Sequence, residues 1–214
     1  MTDIALFGIQ GSGKGTQAEL LSDIFPQFAL FETGGIFRAL STLNNRVGEF
    51  VRQINQGHFI HYSVTNAVFD LMIPMLDANQ NILFDWYPRD LPQLFHLLDF
   101  EYKHHRKLVG IYLKLDEKTA IERLVNRKYY KKDNRMYLIK NDEELQLLIS
   151  QGYEIITRED DHPDAIRKRI EQYHKETEPV IEYLKKQDLL VEVDADQTQE
   201  KVFEDIRKVI KLSI

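Results

Sequence analysis

A glycine-rich segment near the start of the chain carries the residue types that bind phosphate. Residues 8–16 read GIQGSGKGT, after an apolar run at 4–7 and before a helical pattern at 17–23. Glycines let the backbone turn tightly so that successive N–H groups converge, and the helix start adds unpaired donors and the positive end of its dipole. Lys14 would then bring a positive charge to the outer phosphates, and the Thr16 hydroxyl would lie near the phosphates and their Mg²⁺. The alternative is a turn that is only flexible, which the lysine and threonine beside the glycines disfavour.

A second polar group follows a later strand. The apolar run at 81–84 ends in Asp85, and Arg89 comes four residues later. In doubly wound α/β proteins ligands bind at the carboxyl ends of the strands, so both side chains are predicted at the working edge of a sheet. A carboxylate there can hold Mg²⁺ through water. The alternative is structural, with Asp85 as a helix cap or as the ion-pair partner of Arg89.

Further arginines are spaced for anion binding. Arg38 is predicted in the first turn of a helix at 36–43, just after glycines that end a strand, and it can reach a phosphate or a carboxylate. Arg123 and Arg127 lie four apart in a helix predicted at 118–127, so both guanidinium groups would share one face. Two like charges side by side favour an anion between them, although a solvated charged face would explain them as well.

Strands and helices alternate along the chain, which predicts a parallel sheet with helices on both faces. Besides the strands above, apolar runs predict strands at 28–31, 109–115 and 189–193. Helical patterns are predicted at 47–56, 62–76, 91–102, 142–149 and 200–212, and one further helix begins near Pro163. Apolar residues expected to share one helix side are Val64, Val68, Leu71 and Met75, and those assigned to the core of the next helix are Leu94, Leu97 and Leu98.

The composition limits the classes of protein. The 214 residues include 34 acidic and 28 basic side chains, a net charge of −6, which does not suggest a broad grip on nucleic acid. The chain has no cysteine, which excludes disulfides, thiolate zinc sites and cysteine nucleophiles, and its seven histidines are not spaced as in a metal site. Since no leader peptide and no apolar run of about 18 residues is evident, we expect a soluble cytoplasmic protein with one compact unit.

The motifs around the phosphate loop resemble the adenylate kinase family. Residues 8–17 look like the family's G-x-P-G-[SA]-G-K-G-T-Q loop. Thr33 and the glycine after it, followed by Arg38, are similar to the T-G-D-x-x-R signature at the monophosphate site. Residues 85–89, DWYPR, resemble D-G-F-P-R, with Gln93 at the place of the adenine-reading glutamine.

The likeness continues along nearly the whole chain. Residues 57–60 look like the G-x-L-V turn whose backbone touches the AMP base. Arg123 and Arg127 match the two arginines before the lid. Residues 158–161, REDD, resemble the R-x-D-D segment, and the helix after it contains Arg169.

The resemblance implies an α/β fold, in which a P-loop NTPase-type parallel sheet is flanked by helices and carries a small helical NMP-binding insertion and a lid insertion. The core P-loop domain would comprise 1–32, 62–127 and 158–214, with the NMP-binding insertion at 33–61 and the lid at 128–157. The lid has the length of the family's long form but none of the four cysteines of zinc-bearing lids. Insertions of this size commonly act as mobile flaps.

The same resemblance implies a nucleoside monophosphate kinase that transfers a phosphoryl group from ATP to AMP. Its cofactor would be Mg²⁺, bound with ATP and held by Asp85 through water, without zinc. ATP and AMP would be its partners, with no nucleic acid or membrane, and the protein would be a monomer. The catalytic residues implied are Lys14, Arg89, Arg123, Arg158 and Arg169. The ATP-binding residues implied are Gly11, Ser12, Gly13, Lys14, Gly15, Thr16, Arg123, Arg127 and Gln197. The AMP-binding residues implied are Thr33, Gly34, Arg38, Ile60, Arg89, Gln93, Arg158 and Arg169.

Besides Gln10, which stands where proline is usual, two departures from the family pattern bear on the site. Gly35 stands where the family has an aspartate that helps order water around Mg²⁺, which would leave more of that task to Asp85. Trp86 stands where a glycine lets AMP approach, so the indole must point away, stack on the base or narrow the site. Two alternatives stay open, a kinase for another nucleoside monophosphate and a nucleotide-binding regulatory protein with weak or no catalysis.

Overall fold

The computed structural model describes residues 1–54, 60–77, 79–133, 135–139, 141–157 and 161–213. The strands are β1 (Thr2–Phe7), β2 (Phe28–Glu32), β3 (Asn81–Asp85), β4 (Lys107–Lys114), β5 (Tyr129–Lys132), β6 (Arg135–Leu138), β7 (Ile155–Ile156) and β8 (Leu190–Asp194). The helices are α1 (Lys14–Ile24), α2 (Thr33–Ser41), α3 (Arg46–Ile54), α4 (Tyr62–Met72), α5 (Leu91–Lys103), α6 (Glu117–Asn126), α7 (Asp142–Ser150), α8 (Pro163–Gln172), α9 (Glu178–Lys186) and α10 (Gln199–Ser213).

Five strands form the parallel sheet that the alternation of elements predicted. Their order is β2-β3-β1-β4-β8. Every residue of β1 and β3 is buried, and because successive residues of a strand point to opposite faces, both faces of the sheet are covered. Among the flanking helices, α1 packs against α10, and α5 packs against both α4 and α9. The predicted α/β fold with flanking helices is confirmed.

The strand register brings the polar ends of neighbouring strands together. Leu6 of β1 lies opposite Asp85 of β3, and Glu32 of β2 lies opposite the same residue. The glycine-rich loop leaves β1 at this edge. The carboxyl edge of the sheet, where ligands bind in folds of this kind, therefore holds the loop and two carboxylates.

Helix α2 begins earlier than predicted. It starts at Thr33, so that Gly34 and Gly35 lie in its first turn and Arg38 lies in its last. The expectation that the glycines separate the strand from the helix was wrong. Thr33 is buried, and its hydroxyl donates to the Trp86 carbonyl oxygen at 3.0 Å. This contact anchors the start of the helix directly after β2.

The buried side of α4 also differs from the prediction. Leu71 and Met75 are 67% and 76% exposed, whereas Phe69 is buried. Phe69 stacks on Tyr87 with ring centroids 5.0 Å apart and meets Phe31 edge-on at 5.6 Å. Because aromatic pairs bury large areas in preferred geometries, this cluster sets the rotation of the helix and turns Leu71 outward, while Val64 and Val68 are half-buried.

The segment at 173–186 was not predicted. A π-helical turn, Tyr173–Thr177, continues α8 and leads into α9, which buries Val180, Ile181 and Leu184. Such turns are rare and often occur at functional sites. Tyr173 and Thr177 line the small cavity beside the glycine-rich loop.

The chain between β5 and β7 forms a separate small sheet. Its strand order is β6-β5-β7, antiparallel, and α7 follows β6 as the predicted helix at 142–149. Tyr130 stacks on Tyr137 with ring centroids 5.3 Å apart, and Tyr153 meets Tyr130 edge-on at 5.4 Å. Cross-strand aromatic pairs of this kind stabilise small sheets, so packed rings hold together a segment that has no cysteines.

None of the helices in the described ranges combines the length and the apolar character needed to cross a bilayer.

A buried charge cluster lies at the amino ends of the strands. Asp3, 0% exposed, accepts hydrogen bonds from Arg106 Nε and Nη2, both at 2.6 Å, and from the Ile82 backbone N–H at 2.6 Å. Glu101 is buried beside Asp3. Burial, followed by the charge of Asp3 and a hydrogen bond to it, raises the pKa of Glu101 to about 9. Glu101 is therefore protonated at neutral pH, and the cluster contains one cation and one anion.

We expect Glu101→Gln to weaken the pH dependence of the free energy of unfolding. Above pH 4.5, the ordinary pKa of a glutamate, the unfolded chain releases the Glu101 proton while the folded protein keeps it. The stabilising contribution of this raised pKa to the free energy of unfolding is therefore complete below pH 4.5 and is lost as the pH rises toward about 9. The amide has no proton to lose, so the variant should gain stability relative to wild type toward alkaline pH. Urea unfolding at about pH 5, 7 and 9 measures the slopes, with the exposed Asp99→Asn on the same helix as the control. Equal slopes for wild type and Glu101→Gln would contradict the protonated state.

Candidate active site

The loop between β1 and α1 turns on two glycines with left-handed backbone. Gly11 has φ 90° and Gly13, the N-cap of α1, has φ 93°. A Cβ on Gly11 would lie 2.6 Å from the Ala120 carbonyl oxygen, so a side chain there would require the backbone to move. Ser12 is buried in the loop. The loop thus leads into a helix start whose first N–H groups have no helical partner, which is the geometry of an anion site.

Lys14 is held by its own loop. It is the first residue of α1 and is 7% exposed. Its ammonium group donates to the carbonyl oxygen of Gly8 and, at 3.0 Å, to that of Ile9. Burial lowers the pKa of Lys14, and the carboxylate of Asp85 opposes that shift. A phosphate would supply the close anion that a buried ammonium requires.

Asp85 ends β3 beside the first turn of α1. It is 1% exposed, and its Oδ2 would lie 3.6 Å from a Cβ on Gly15. Burial raises its pKa, while Lys14 opposes the shift. Its Oδ1 has no hydrogen-bond partner among the described residues. A buried carboxylate oxygen that lacks a partner, next to a phosphate-type loop and the half-buried Thr16, fits the water shell that Mg²⁺ keeps in proteins.

Arg89 and Gln93 organise the loop after β3. The Arg89 backbone N–H donates to Gln93 Oε1 at 2.8 Å, and Gln93 Nε2 donates to Asp90 Oδ2 at 3.3 Å. Gln93 is 1% exposed, so in this structure its amide supports the loop. Arg89 Nε donates to the Trp86 carbonyl oxygen at 3.3 Å. Burial lowers the pKa of Arg89 to about 10, with Asp85 opposing the shift, so the guanidinium is charged at neutral pH.

Glu32 occupies the space beside Gly35. Its Oε1 accepts from Arg38 Nη2 at 2.7 Å, with side chains 31% and 49% exposed. A Cβ on Gly35 would lie 2.3 Å from Glu32 Oε2. The carboxylate of Glu32 therefore fills the room that an aspartate at residue 35 would enter. Glu32 was not among the predicted site residues, and its only sequence signal is its position directly before Thr33.

We expect Gly35→Asp to lower the free energy of unfolding by less than about 1 kcal/mol, because the new side chain displaces the partly exposed Glu32 from Arg38 and adds a like charge beside it. In a Glu32→Ala background the same change should stabilise by about 0.5 kcal/mol, since aspartate in a first turn favours the helix more than glycine does. Thermal unfolding of the four proteins forms a double-mutant cycle. An effect of the same sign in both backgrounds would show that Glu32 does not fill this space.

Arg123 and Gln197 meet at the loop after β8. Arg123 donates to the Ala195 carbonyl oxygen at 3.0 Å and to Asp196 Oδ1 at 3.4 Å. Gln197 Nε2 donates to the Asp194 carbonyl oxygen at 2.8 Å. Arg123 of α6 thus contacts the loop that contains Gln197, and both residues were assigned to ATP.

Arg123 and Arg127 do not share a helix face. Helix α6 ends at Asn126, and Arg127 is its C-cap with extended backbone, φ −67° and ψ 127°. Arg127 donates to Asp161 through Nη2 at 2.7 Å and Nε at 3.0 Å. The expectation that both guanidinium groups lie on one face was wrong, because a carboxylate 34 residues later holds Arg127.

Asp161 joins two of the predicted arginines. Besides Arg127, it accepts from Arg169 Nη2 at 3.0 Å, and its side chain is 1% exposed. Gln10, which stands where the family has proline, donates from Nε2 to the Arg169 carbonyl oxygen at 3.4 Å. Asp161 belongs to the REDD segment, but the sequence analysis gave it no role. Nothing in the sequence near either residue predicts that Asp161 pairs with Arg127.

The structure brings Lys14, Asp85 and Arg89 together with two further arginines. The charges of Arg89, Arg127 and Arg169 all lower the pKa of Lys14, after the larger effect of burial. Arg38, which pairs with Glu32 at the end of β2, lies close enough to lower the pKa values of Asp85 and Arg89 through its charge. Arg123 lies elsewhere, at the loop after β8. Arg158 and residues 57–59 lie outside the described residues, and Ile60, at the border of the described part, is half-buried.

Known proteins are similar to this chain over nearly its full length. The sequence model of the family described as adenylate kinase matches residues 6–189. The adenylate kinase of Pseudothermotoga lettingae is 31% identical over 212 residues, which cover 97% of this chain and 97% of that protein. The adenylate kinase of Caldanaerobacter subterraneus is 31% identical over 211 residues, covering 97% and 95%. That of Mesomycoplasma hyopneumoniae strain J is 31% identical over 210 residues, covering 96% of each. The chain therefore belongs to the adenylate kinase family, and it is a phosphotransferase of the nucleoside monophosphate kinase type.

Proposed function

We propose that the chain catalyses the reversible, Mg²⁺-dependent transfer of a phosphoryl group from ATP to AMP, which gives two ADP. The observation that carries this proposal is the convergence of Lys14, Asp85 and Arg89 beside the glycine-rich loop. Phosphoryl transfer requires two phosphates in line and compensation of their negative charge, with little covalent chemistry by the protein. A set of positioned cations beside one carboxylate meets both requirements.

Each residue has a proposed part in the reaction. Lys14 and the backbone amides of 11–16 hold the outer phosphates of ATP, and Gln197 lies on the ATP side. Arg38 and Arg89 clamp the phosphate of AMP, while its nucleoside contacts Thr33, Gly34, Ile60 and Gln93. The arginines that close over the transferring group are Arg123, Arg127, Arg158 and Arg169.

Mg²⁺ is proposed to arrive with ATP. The ion would compensate the charge of the phosphates, and Asp85 would hold it through water. The support is the buried Asp85 oxygen that lacks a partner among the described residues. Burial raises the pKa of Asp85 to about 7, and the charge of Lys14 opposes this shift and favours the ionised carboxylate.

The two insertions are proposed to exclude water. A site that activates ATP must be assembled only when both substrates are bound, or ATP is hydrolysed. The insertion at 33–61 would close over AMP and the lid at 128–157 over ATP, both carried by a core of 1–32, 62–127 and 158–214. We also propose a cytoplasmic monomer without nucleic acid or membrane partners, in keeping with a net charge of −6.

Acceptor profiling tests the proposed function. Mg·ATP is offered with AMP, GMP, CMP, UMP or dTMP, and product nucleotides are separated by ion exchange. We expect ADP formation with AMP alone. Efficient transfer to another monophosphate would favour the alternative acceptor, for which Trp86 beside Arg89 is the motivating contact. ATP binding without transfer to any acceptor would favour a regulatory protein.

A further inference from the structure

Residue 86 carries a bulky side chain on a left-handed backbone. Trp86 has φ 65°, a conformation that is strained and rare for a large side chain. Its carbonyl oxygen accepts hydrogen bonds from the Thr33 hydroxyl at 3.0 Å and from Arg89 Nε at 3.3 Å. These two contacts hold the backbone of residue 86 in place.

The indole lies against two cations of the proposed reaction site. Arg89 Cζ is 4.3 Å from the centroid of the Trp86 ring, and Lys14 Nζ is 5.0 Å from it. Both distances are within the range of cation–π attraction, which is strongest for tryptophan and increases when the cation is desolvated. Lys14 is buried and Arg89 is half-buried, so the ring is a neutral partner for two poorly hydrated cations.

The space beside the indole is too small for a phosphoryl group. The cavity lined by Gly8, Lys14, Trp86, Arg89 and Thr177 has a volume of about 20 Å³, which is room for roughly one water molecule. While the ring stays in place, this cavity does not hold a phosphorus atom with its oxygens between the two cations. The position where the two cations would meet a phosphate is therefore occupied by this chain itself.

We infer that the Trp86 indole is a displaceable occupant of the phosphate position between Lys14 and Arg89, and that it leaves when a phosphate-bearing substrate binds. The inference rests on the proposed function, because it takes these two cations as ligands of substrate phosphates. A phosphate forms charge-assisted hydrogen bonds with both cations and competes well with a neutral ring. Part of its binding free energy is used to break the ring contacts, so residue 86 sets the affinity for the monophosphate.

The wild-type protein reports on this displacement directly, since Trp86 is the only tryptophan in the chain. The full chain is titrated with AMP, adenosine and inorganic phosphate, while emission and acrylamide quenching are recorded and binding is measured by calorimetry. We expect AMP and phosphate to shift the emission to longer wavelength and to increase quenching, because the indole enters water, and adenosine to leave both unchanged. Saturation with AMP in the calorimeter, with unchanged emission and quenching, would overturn the inference.

Two variants test the effect on affinity. Trp86→Gly empties the position and suits the left-handed backbone, whereas Trp86→Leu removes the aromatic face but keeps bulk. We expect Trp86→Gly to bind AMP about tenfold more tightly than wild type does, and Trp86→Leu to show a smaller increase in affinity. Binding to Trp86→Gly that is equal to or weaker than wild type would overturn the inference.

The same titrations separate this inference from the proposed function. If neither wild type nor Trp86→Gly binds AMP, the proposed function fails. The titration with inorganic phosphate then tests whether phosphate displaces the indole. An emission shift with phosphate would support displacement without AMP. An unchanged emission with phosphate would overturn it.

Discussion

Lys14→Met is expected to lower kcat for ADP formation by about 10³-fold or more while the protein remains folded. Methionine fills nearly the same buried volume, so packing around the first residue of α1 is kept. What is lost is the ammonium, which donates to Gly8 and Ile9 here and which is proposed to stabilise the phosphates during transfer. Because this interaction is strongest in the transition state, the loss should appear in kcat more than in KM.

Lys103→Met is the matched control for this prediction. Lys103 is exposed and pairs with Asp99 at 2.6 Å on the surface of α5. A surface ion pair of this kind contributes little, so kcat and stability should stay near wild type. Steady-state ADP formation and urea unfolding are measured on all three proteins. If kcat of Lys14→Met stays within tenfold of wild type, the role assigned to Lys14 is wrong.

Asp161→Asn is expected to lower the free energy of unfolding by about 3 kcal/mol and kcat by about 10- to 100-fold. The Asp161 side chain is 1% exposed and forms ion pairs with both Arg127 and Arg169. Removing one partner from a buried ion pair leaves uncompensated charge, which typically costs about 3–5 kcal/mol. We expect the lower end of this energy range because the side chains of Arg127 and Arg169, 23% and 15% exposed, can reach water. The fall in kcat follows because two proposed catalytic cations lose their orientation.

Asp196→Asn gives the comparison for a surface pair. Asp196 is 63% exposed and accepts from Arg123 at 3.4 Å, so the same chemical change there should alter stability by less than about 1 kcal/mol. Urea unfolding and kcat are measured for both variants. Equal effects of the two substitutions on stability would show that Asp161 is not the buried centre of an ion-pair network.

Local sequence signals predicted the sheet and the site edge well. The run at 81–85 is a strand in full, and its last residue, Asp85, lies beside the glycine-rich loop because parallel strands end at one edge. The glycines and Lys14 predicted the phosphate-type loop because the backbone freedom and the charge that such a loop needs are both encoded within a few neighbouring residues.

Contacts between distant residues decided what the sequence alone did not predict. Arg127 leaves the helix of Arg123 because Asp161 holds it, and neither position shows this locally. Helix α4 turns Leu71 outward because Phe69 joins an aromatic cluster from other strands and loops. Tertiary packing overrides a periodic pattern in such cases.

The glycine at 35 has a structural explanation that the motif alone lacks. The family pattern has an aspartate at this place, and the sequence shows only its absence. In the structure the carboxylate of Glu32 lies where the side chain at 35 would begin. The absence of an aspartate at residue 35 is therefore linked to the position of the Glu32 carboxylate beside it.

Phosphorus NMR of a reaction with Mg·ATP and AMP tests the proposed transfer most directly. We predict that ADP is the only product, with two ADP formed for each ATP consumed, and that ATP is stable when AMP is left out. Consumption of ATP at the same rate without AMP, with release of inorganic phosphate, would contradict phosphoryl transfer to AMP. Stable ATP even in the presence of AMP would contradict it equally.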